Sequence, residues 1–275
     1  MYAEYWGMEC TPFVSRYASR FFVATPDYEE ASARIRYLLE QNARAGLLLG
    51  AAGVGKTWCV ASQLAELQAD GVTAASISLD GLSHDAFFPE VANVLGWNAE
   101  QSDSHRFGEF LRDRLAETAY FGRATVLILE DADRASEATL RRVQRLLHLD
   151  SDSPLRLTLL LTARPRQLER LCDFLEYAPL TMELDVWNAD TVSAAVSQLL
   201  ASVGVGRNLF TEDAIACMLE ETSGNPRQWM RLADLSLAAA ASTELRWVDA
   251  ETVRWVLSKF PNPFAFVSHP SGIIA

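Results

Sequence analysis

Gly50-Ala51-Ala52-Gly53-Val54-Gly55-Lys56-Thr57 reads G-x-x-x-x-G-K-T, the spacing of a phosphate-binding P-loop. A short apolar run, Gly46 to Leu49, precedes it, and a stretch with helical spacing, Thr57 to Gln68, follows. That order, strand then loop then helix, is the context in which the spacing has chemical meaning. Glycines let the loop bend so that successive backbone N–H groups face phosphate oxygens, and the helix start adds the positive end of its dipole. Lys56 is then placed to reach the β- and γ-phosphates of ATP, and the Thr57 hydroxyl to ligate Mg²⁺. The cofactor-binding stretch runs from Gly50, Ala51, Ala52, Gly53, Val54 and Gly55 through Lys56, Thr57 and Trp58. Composition sharpens the reading: of 24 Lys and Arg residues only Lys56 and Lys259 are lysines, and one of them stands where the loop requires it.

Working outward, the next decisive stretch is Ala124-Thr125-Val126-Leu127-Ile128-Leu129-Glu130-Asp131-Ala132-Asp133. A continuous apolar run suits a strand buried on both faces of a parallel sheet. Its acidic end reads as a Walker B segment, delivering carboxylates to the rim where open α/β sheets bind ligands. The usual order is Asp, orienting Mg²⁺, then Glu, activating water. Here the order is Glu130-Asp131, which assigns Glu130 to the metal and Asp131, one methylene shorter, to the water. Leu155 to Leu161 is a further strand ending Thr162-Ala163-Arg164-Pro165. Thr162 is either a hydrogen-bonding residue for the attacking water or γ-phosphate, or a plain strand-to-turn residue.

The remaining pattern is α/β up to about Val186. A helix starts at Thr25-Pro26, with a capping hydroxyl and then proline at the first helical position. A strand is expected at Val72 to Leu79, a helix ending near Gly96, an amphipathic helix over Ser102 to Tyr120, a helix over Gln167 to Tyr177 and a strand over Thr181 to Val186. Ser136 to His148 is a helix carrying Arg141, Arg142 and Arg145; its basic face suits either solvent or a subunit or nucleic-acid contact. Aromatics crowd residues 1–24 (Tyr2, Tyr5, Trp6, Phe13, Tyr17, Phe21, Phe22). They are expected either to pack over the P-loop domain or, in part, to wall the adenine. From Asn188 only helices follow: Thr191 to Val203, Thr211 to Thr222 with Thr211 as cap, Arg227 to Ala241 and Asp249 to Lys259. The expected organisation is therefore an aromatic segment and helix packed on the core over 1–45, a P-loop α/β domain over 46–187, an all-α lid over 188–260 and a tail over 261–275.

Bulk properties bound the function. Of 275 residues 49% are hydrophobic and 22% charged, as expected of a globular chain. No run of 18 apolar residues offers a membrane span, and Met1 to Cys10 lacks the build of a signal peptide. Cys10, Cys59, Cys172 and Cys217 stand isolated, which suits a reducing cytoplasm better than a metal or disulfide framework. The net charge of −12 argues against binding nucleic acid by charge alone, while leaving room for a local basic patch.

A P-loop α/β domain followed by a helical lid is the layout of AAA+ ATPases. Three stretches resemble more closely the ATPase core of the general secretion pathway protein A (ExeA-type) group. They are the start, with Tyr5-Trp6-Gly7, Thr11-Pro12-Phe13 and Arg20-Phe21-Phe22; the acidic box Glu130-Asp131-Ala132-Asp133; and Thr222-Ser223-Gly224-Asn225-Pro226-Arg227 followed by Arg231-Leu232-Ala233-Asp234. The wider group takes in transposition ATPases of the TniB, TnsC and MuB types and origin-recognition initiators. The resemblance implies ATP hydrolysis with Mg²⁺, homo-oligomers, a protein client and, in some members, nucleic acid. It implies that Arg227 contacts the γ-phosphate from the lid. It also implies an arginine supplied by a neighbouring subunit, for which Arg164, Arg170 and the Arg141–Arg145 cluster are the candidates. ExeA-type proteins continue into a membrane span and a peptidoglycan-binding region; this sequence ends at Ala275, so a secretion role is not expected.

Overall fold

The P-loop strand sits inside its sheet because its sequence admits no water: every residue of β1 (Ala45–Gly50) is buried, as is every residue of β4 (Leu157–Ala163). The computed structural model describes residues 2–13, 21–97, 107–149 and 155–260. With β2 (Thr73–Ser78), β3 (Thr125–Glu130) and β5 (Thr181–Leu184), these strands form one five-stranded sheet in the order β2-β3-β4-β1-β5. All four pairings are parallel. The central strands read Leu-Leu-Leu or Leu-Ile-Leu because a parallel sheet buries both faces. The edge strands β2 and β5 carry the partly exposed positions.

The chain groups into two units, and residues Ala24–Asp185 form the first. Leu47, Leu49, Leu127, Leu129, Leu159 and Leu161 share one core with α4 (His84–Val94), α5 (Phe107–Tyr120) and α6 (Glu137–His148), through Phe87, Val91, Leu111, Leu115, Val143 and Leu146. On α2 (Pro26–Glu40) and α3 (Lys56–Ala69), Ile35, Leu38, Cys59 and Val60 are buried, and these helices pack on β1, β2 and β5. Caps close the helices as their sequences dictate: Thr25 Oγ1 accepts from the Tyr28 amide, with Pro26 next, and Ser136 Oγ accepts from the Thr139 amide.

The helix expected over Gln167 to Tyr177 is instead a 3₁₀ segment, Pro165–Leu171, followed by the short turn α7 (Cys172–Leu175). The backbone leaves helical geometry at Gln167 (φ −117°). The cause is the arginine and glutamine contacts described below, which draw this segment toward the turn after β3. Strand β5 stops at Leu184, two residues before the expected Val186.

The second unit contains the described residues up to Val23 and those from Val186 onward. Its helices are α1 (Tyr2–Trp6), α8 (Ala189–Ala201), α9 (Glu212–Thr222), α10 (Pro226–Ser242) and α11 (Ala250–Lys259). The early aromatics, expected over the P-loop domain, belong here. Trp6 Nε1 donates to the Leu237 carbonyl at 3.1 Å, Tyr5 donates to the Leu245 carbonyl at 2.8 Å, and the Tyr2 hydroxyl donates to Asp234. Phe13 meets Phe210 and Trp229 edge-on at centroid distances of 5.7 and 6.0 Å. Aromatic rings bury large area against whatever apolar face they meet, and here it is made by α10 together with Phe210 and Leu245 beside it. Tyr17, the start of the helix expected from Ser102, and the tail expected over 261–275 lie outside the described residues.

Where the second unit begins, the Trp187 amide donates to the Gly224 carbonyl at 2.8 Å, and Trp187 lies 6.3 Å from Trp229 between ring centroids. Gly224 holds φ +70°, and a Cβ there would collide with the Trp187 carbonyl oxygen. Gly224→Ala is therefore expected to destabilise this unit by more than about 1 kcal/mol, read as a lower denaturant midpoint in equilibrium unfolding.

Candidate nucleotide-binding site

The site lies at the C-terminal ends of three adjacent strands. Because β4 lies between β1 and β3, the loop after β1 and the acids after β3 flank the end of β4. The P-loop leaves β1 at Gly50, where a Cβ would come within 2.7 Å of Val54 Cγ2 and 3.0 Å of the Leu184 carbonyl oxygen. Gly53 and Gly55 take φ values of +89° and +109°, conformations that a side chain would strain. Ala51 and Ala52 are exposed, and Val54 is buried and pins the loop from below. Lys56 opens α3, and its Nζ donates to the carbonyl oxygens of Gly50 at 2.7 Å and Ala51 at 3.2 Å. The lysine thus spans the loop that a triphosphate would enter. Trp58 is half-buried on the first turn of α3.

Glu130 is the last residue of β3, and the Thr57 side chain acts on its carboxyl as a hydrogen-bonding neighbour that favours the charged form. Two oxygen groups, one from each motif, are therefore neighbours. This donor set fits a hard cation such as Mg²⁺, which takes one or two protein oxygens and completes its shell with phosphate and water. Burial pushes the Glu130 carboxyl above the usual carboxylate range, the neighbouring Asp131 charge adds to that, and the Thr57 side chain partly offsets both.

Asp131 stands in the left-handed region, φ +54°. Aspartate is among the few non-glycine residues that tolerate this geometry, which supplies a backbone reason for the shorter acid. Its amide donates to Thr162 Oγ1 at 3.1 Å, and its carbonyl accepts from the Arg134 amide at 2.8 Å. Thr162 is 2% exposed. The hydroxyl considered for a nucleotide contact already ties the end of β4 to the turn after β3.

Asp133 and Gln167, to which the sequence assigned no site role, complete that turn, and Arg164 and Arg170, both expected as candidate contacts for a neighbouring subunit, join them. Asp133 is buried, and Arg164 Nε donates to its Oδ2 at 2.6 Å. Arg170 donates to the carbonyl of Asp133 and, at 2.7 Å, to that of Ala135. With its amide oriented to satisfy its neighbours, Gln167 donates to Asp133 Oδ2 at 3.1 Å and to the Asp133 carbonyl at 3.0 Å. Asp133, and more weakly Asp131 and Asp80, hold the Arg164 guanidinium above its ordinary range. Both arginines thus bond within their own chain. The available signal was that a buried aspartate demands a cation, and arginines follow the next strand. On α6, Arg141 lies 3.8 Å from Glu137, and Arg142 lies 4.0 Å from Asp85 and over the Phe88 ring, so two of its three arginines face acids. Arg227 is exposed on the first turn of α10, in the other unit.

Residues 39–171 match a family model described as an AAA domain. The fold is AAA+. Among solved structures, the chain is similar to Drosophila ORC bound to DNA at TM-score 0.67 and 15% identity, covering 91% of this chain and 64% of that one. It is similar to the Aeropyrum pernix ORC2 protein in ADPNP–ADP complexes at TM-score 0.64 and 13% identity, covering 90% and 70%. Against the Thermotoga maritima RuvB Holliday junction branch migration motor the values are 0.60 and 14%, covering 90% and 73%. The chain thus spans a little under two thirds of the fly protein's length. No curated protein matches it in sequence. The matches give the AAA+ P-loop fold and its ORC, Cdc6 and RuvB neighbours; nothing in them singles out the ExeA-type group. Among the described residues no helix is long and apolar enough to cross a membrane.

The raised Glu130 carboxyl carries a testable sign. A carboxyl whose folded pKa exceeds its unfolded value contributes stability below the unfolded pKa and loses it as pH rises through the folded one. Without nucleotide or Mg²⁺, Glu130→Gln is therefore expected to melt higher than wild type at neutral pH. The gap should close as pH falls through the carboxylate range, and calorimetry across pH reads it.

Proposed function

We propose that this chain binds ATP with Mg²⁺ and hydrolyses it, using the bond energy to change the lid or to assemble copies of itself on a client. The observation that carries the reading is the P-loop geometry, with Gly53 and Gly55 at positive φ and Lys56 opening α3, in a sheet where β3 ends in the acid Glu130. A loop and an acid placed in this way can hold a phosphate chain and a cation together. In the proposed mechanism the loop amides from Gly50 to Gly55 and the Lys56 ammonium hold the β- and γ-phosphates, in place of the carbonyls that Lys56 now bridges. Thr57 and Glu130 would hold Mg²⁺, which would supply positive charge against the charge developing on the phosphates. Asp131 orients the attacking water and accepts its proton. Thr162 and Arg227 respond to the γ-phosphate. Catalysis by such a site is positioning and charge stabilisation more than covalent chemistry.

A second reading has one observation in its favour. Asp131, not a longer glutamate, follows the strand, and its left-handed backbone fixes its direction. A short, fixed acid that holds water poorly would make the protein a slow, nucleotide-gated assembly factor, for example a DNA-associated regulator of transposition. The fly neighbour is bound to DNA; on this chain, Arg141 and Arg142 of the basic helix are already next to acids.

Steady-state phosphate release from wild type and Lys56→Ala, across protein concentration and with or without duplex DNA, separates these readings. Lys56→Ala is expected to lower turnover by about 100-fold or more. Turnover per chain that rises with protein concentration would favour a site shared between subunits. Tight ATP binding by wild type without release would favour the assembly factor. Arg227→Ala is expected to lower turnover while leaving ADP affinity within about twofold, since only the γ-phosphate is at stake.

A further inference from the structure

The turn from Asp131 to Ala135 is held by more bonds than its own geometry requires. Its backbone closes itself, Arg134 N–H to the Asp131 carbonyl at 2.8 Å and Ala135 N–H to the Ala132 carbonyl at 3.3 Å. The end of β4 and the segment after it then add a second set. Thr162 takes the Asp131 amide, Arg164 takes the Asp133 carboxylate, and Arg170 takes the carbonyls of Asp133 and Ala135. Within five residues, Asp131 sits at the rim in a left-handed conformation, and Asp133 points inward, 1% exposed.

Asp133 is a poor choice if packing is all that is wanted. Its Oδ1 is buried with no hydrogen-bond partner, and a buried ion pair is often no more stable than an apolar pair of the same volume. A buried, partly satisfied acid held by a cation instead gives direction, because the charge-assisted bond has one geometry. Arg164 follows Thr162 by two residues, and its side chain is 38% exposed. The same guanidinium that anchors Asp133 interacts with Asp131 and Asp80, and Asp80 also pairs with Arg134 of the turn at 2.7 Å. The acid proposed to orient water thus stands on a turn whose inner acid is bonded to Arg164 and whose backbone is bonded to Thr162 and Arg170.

We infer that Asp133 and Arg164 are positioning residues for hydrolysis: their ion pair, buried at its aspartate end, sets the backbone of the turn and thereby aims the Asp131 carboxylate. This inference rests on the hydrolytic reading given above. Neither residue touches nucleotide; each acts through the turn. A carboxylate misaimed by about 1 Å costs on the order of 100-fold in rate, while phosphate binding, which belongs to the loop after β1, is untouched.

The test uses the full chain: wild type, Asp133→Asn and Arg164→Gln. Each is measured by phosphate release over a range of ATP concentrations, by binding of a fluorescent ADP analogue and by thermal melting followed by circular dichroism. The expected result is a kcat about 10- to 100-fold lower in each variant, with KM and analogue affinity within about twofold of wild type. An unchanged kcat in either folded variant overturns the inference. So does a loss of analogue affinity that matches the loss of kcat/KM, which is the mark of a merely structural pair. If Asp133→Asn fails to fold, Arg164→Gln decides; if both fail, the pair is structural and the inference falls. Wild type without release that depends on Lys56 overturns the hydrolytic reading and this inference with it. Release by wild type with unaltered variants overturns this inference alone.

Discussion

A phosphate-binding loop must present bare backbone to a ligand while the strand before it stays still. In this chain the strand is still because β1 is clamped on both sides, by β4 through the register Leu48 opposite Thr162 and by β5 through Gly50 opposite Leu184. Complete burial of β1 and β4 makes that clamp a hydrophobic one, and a one-residue slip would turn every leucine to the other face. The positions of Glu130 and Thr162 follow from the sheet's register, since each lies at or next to the last residue of its strand, and Lys56 is placed by the loop that leaves β1 at Gly50.

The second constraint is electrostatic. Glu130, Asp131 and Asp133 fall within four residues at the end of an apolar strand. Three acids at a buried edge repel one another unless each has a separate partner. Glu130 has the Thr57 hydroxyl as a neighbour that favours its charge, and Asp133 faces Arg164 and Gln167. Asp131 is held by its backbone, leaving its carboxylate at the rim. The division of labour among three similar side chains is therefore a matter of which neighbour each one meets.

Much of this was legible in the sequence where the signal is local. The P-loop spacing, the apolar strand ending in acids and the caps at Thr25 and Thr211 need only a few neighbouring residues to be read, and all stand where expected. The break at Gln167 was not legible, because it depends on contacts from Gln167 and Arg170 back to Asp133 and Ala135, more than thirty residues earlier. The aromatics at the start were legible as buried but not as to what buries them. Hydrophobicity has no direction, and the partners are named only by the polar ends of Tyr2, Tyr5 and Trp6, bonded to Asp234, Leu245 and Leu237 among the described residues. Likewise the left-handed Asp131 leaves no mark in the sequence beyond an acid of unusual length at its position.

The helical unit is assembled from both ends of the chain, and this has a consequence for its synthesis. Trp6 and Leu237 are 231 residues apart, so the first helix leaves the ribosome well before the surface that receives it exists. At about 5–20 residues per second the wait is on the order of ten to fifty seconds. The intervening α/β unit, whose strand contacts are closed by Leu184, is complete during that interval. Trp6 and Phe13, buried at 4% and 2% in the finished protein, spend it without their partners. During that interval these rings are apolar surface waiting for the helices that will cover them.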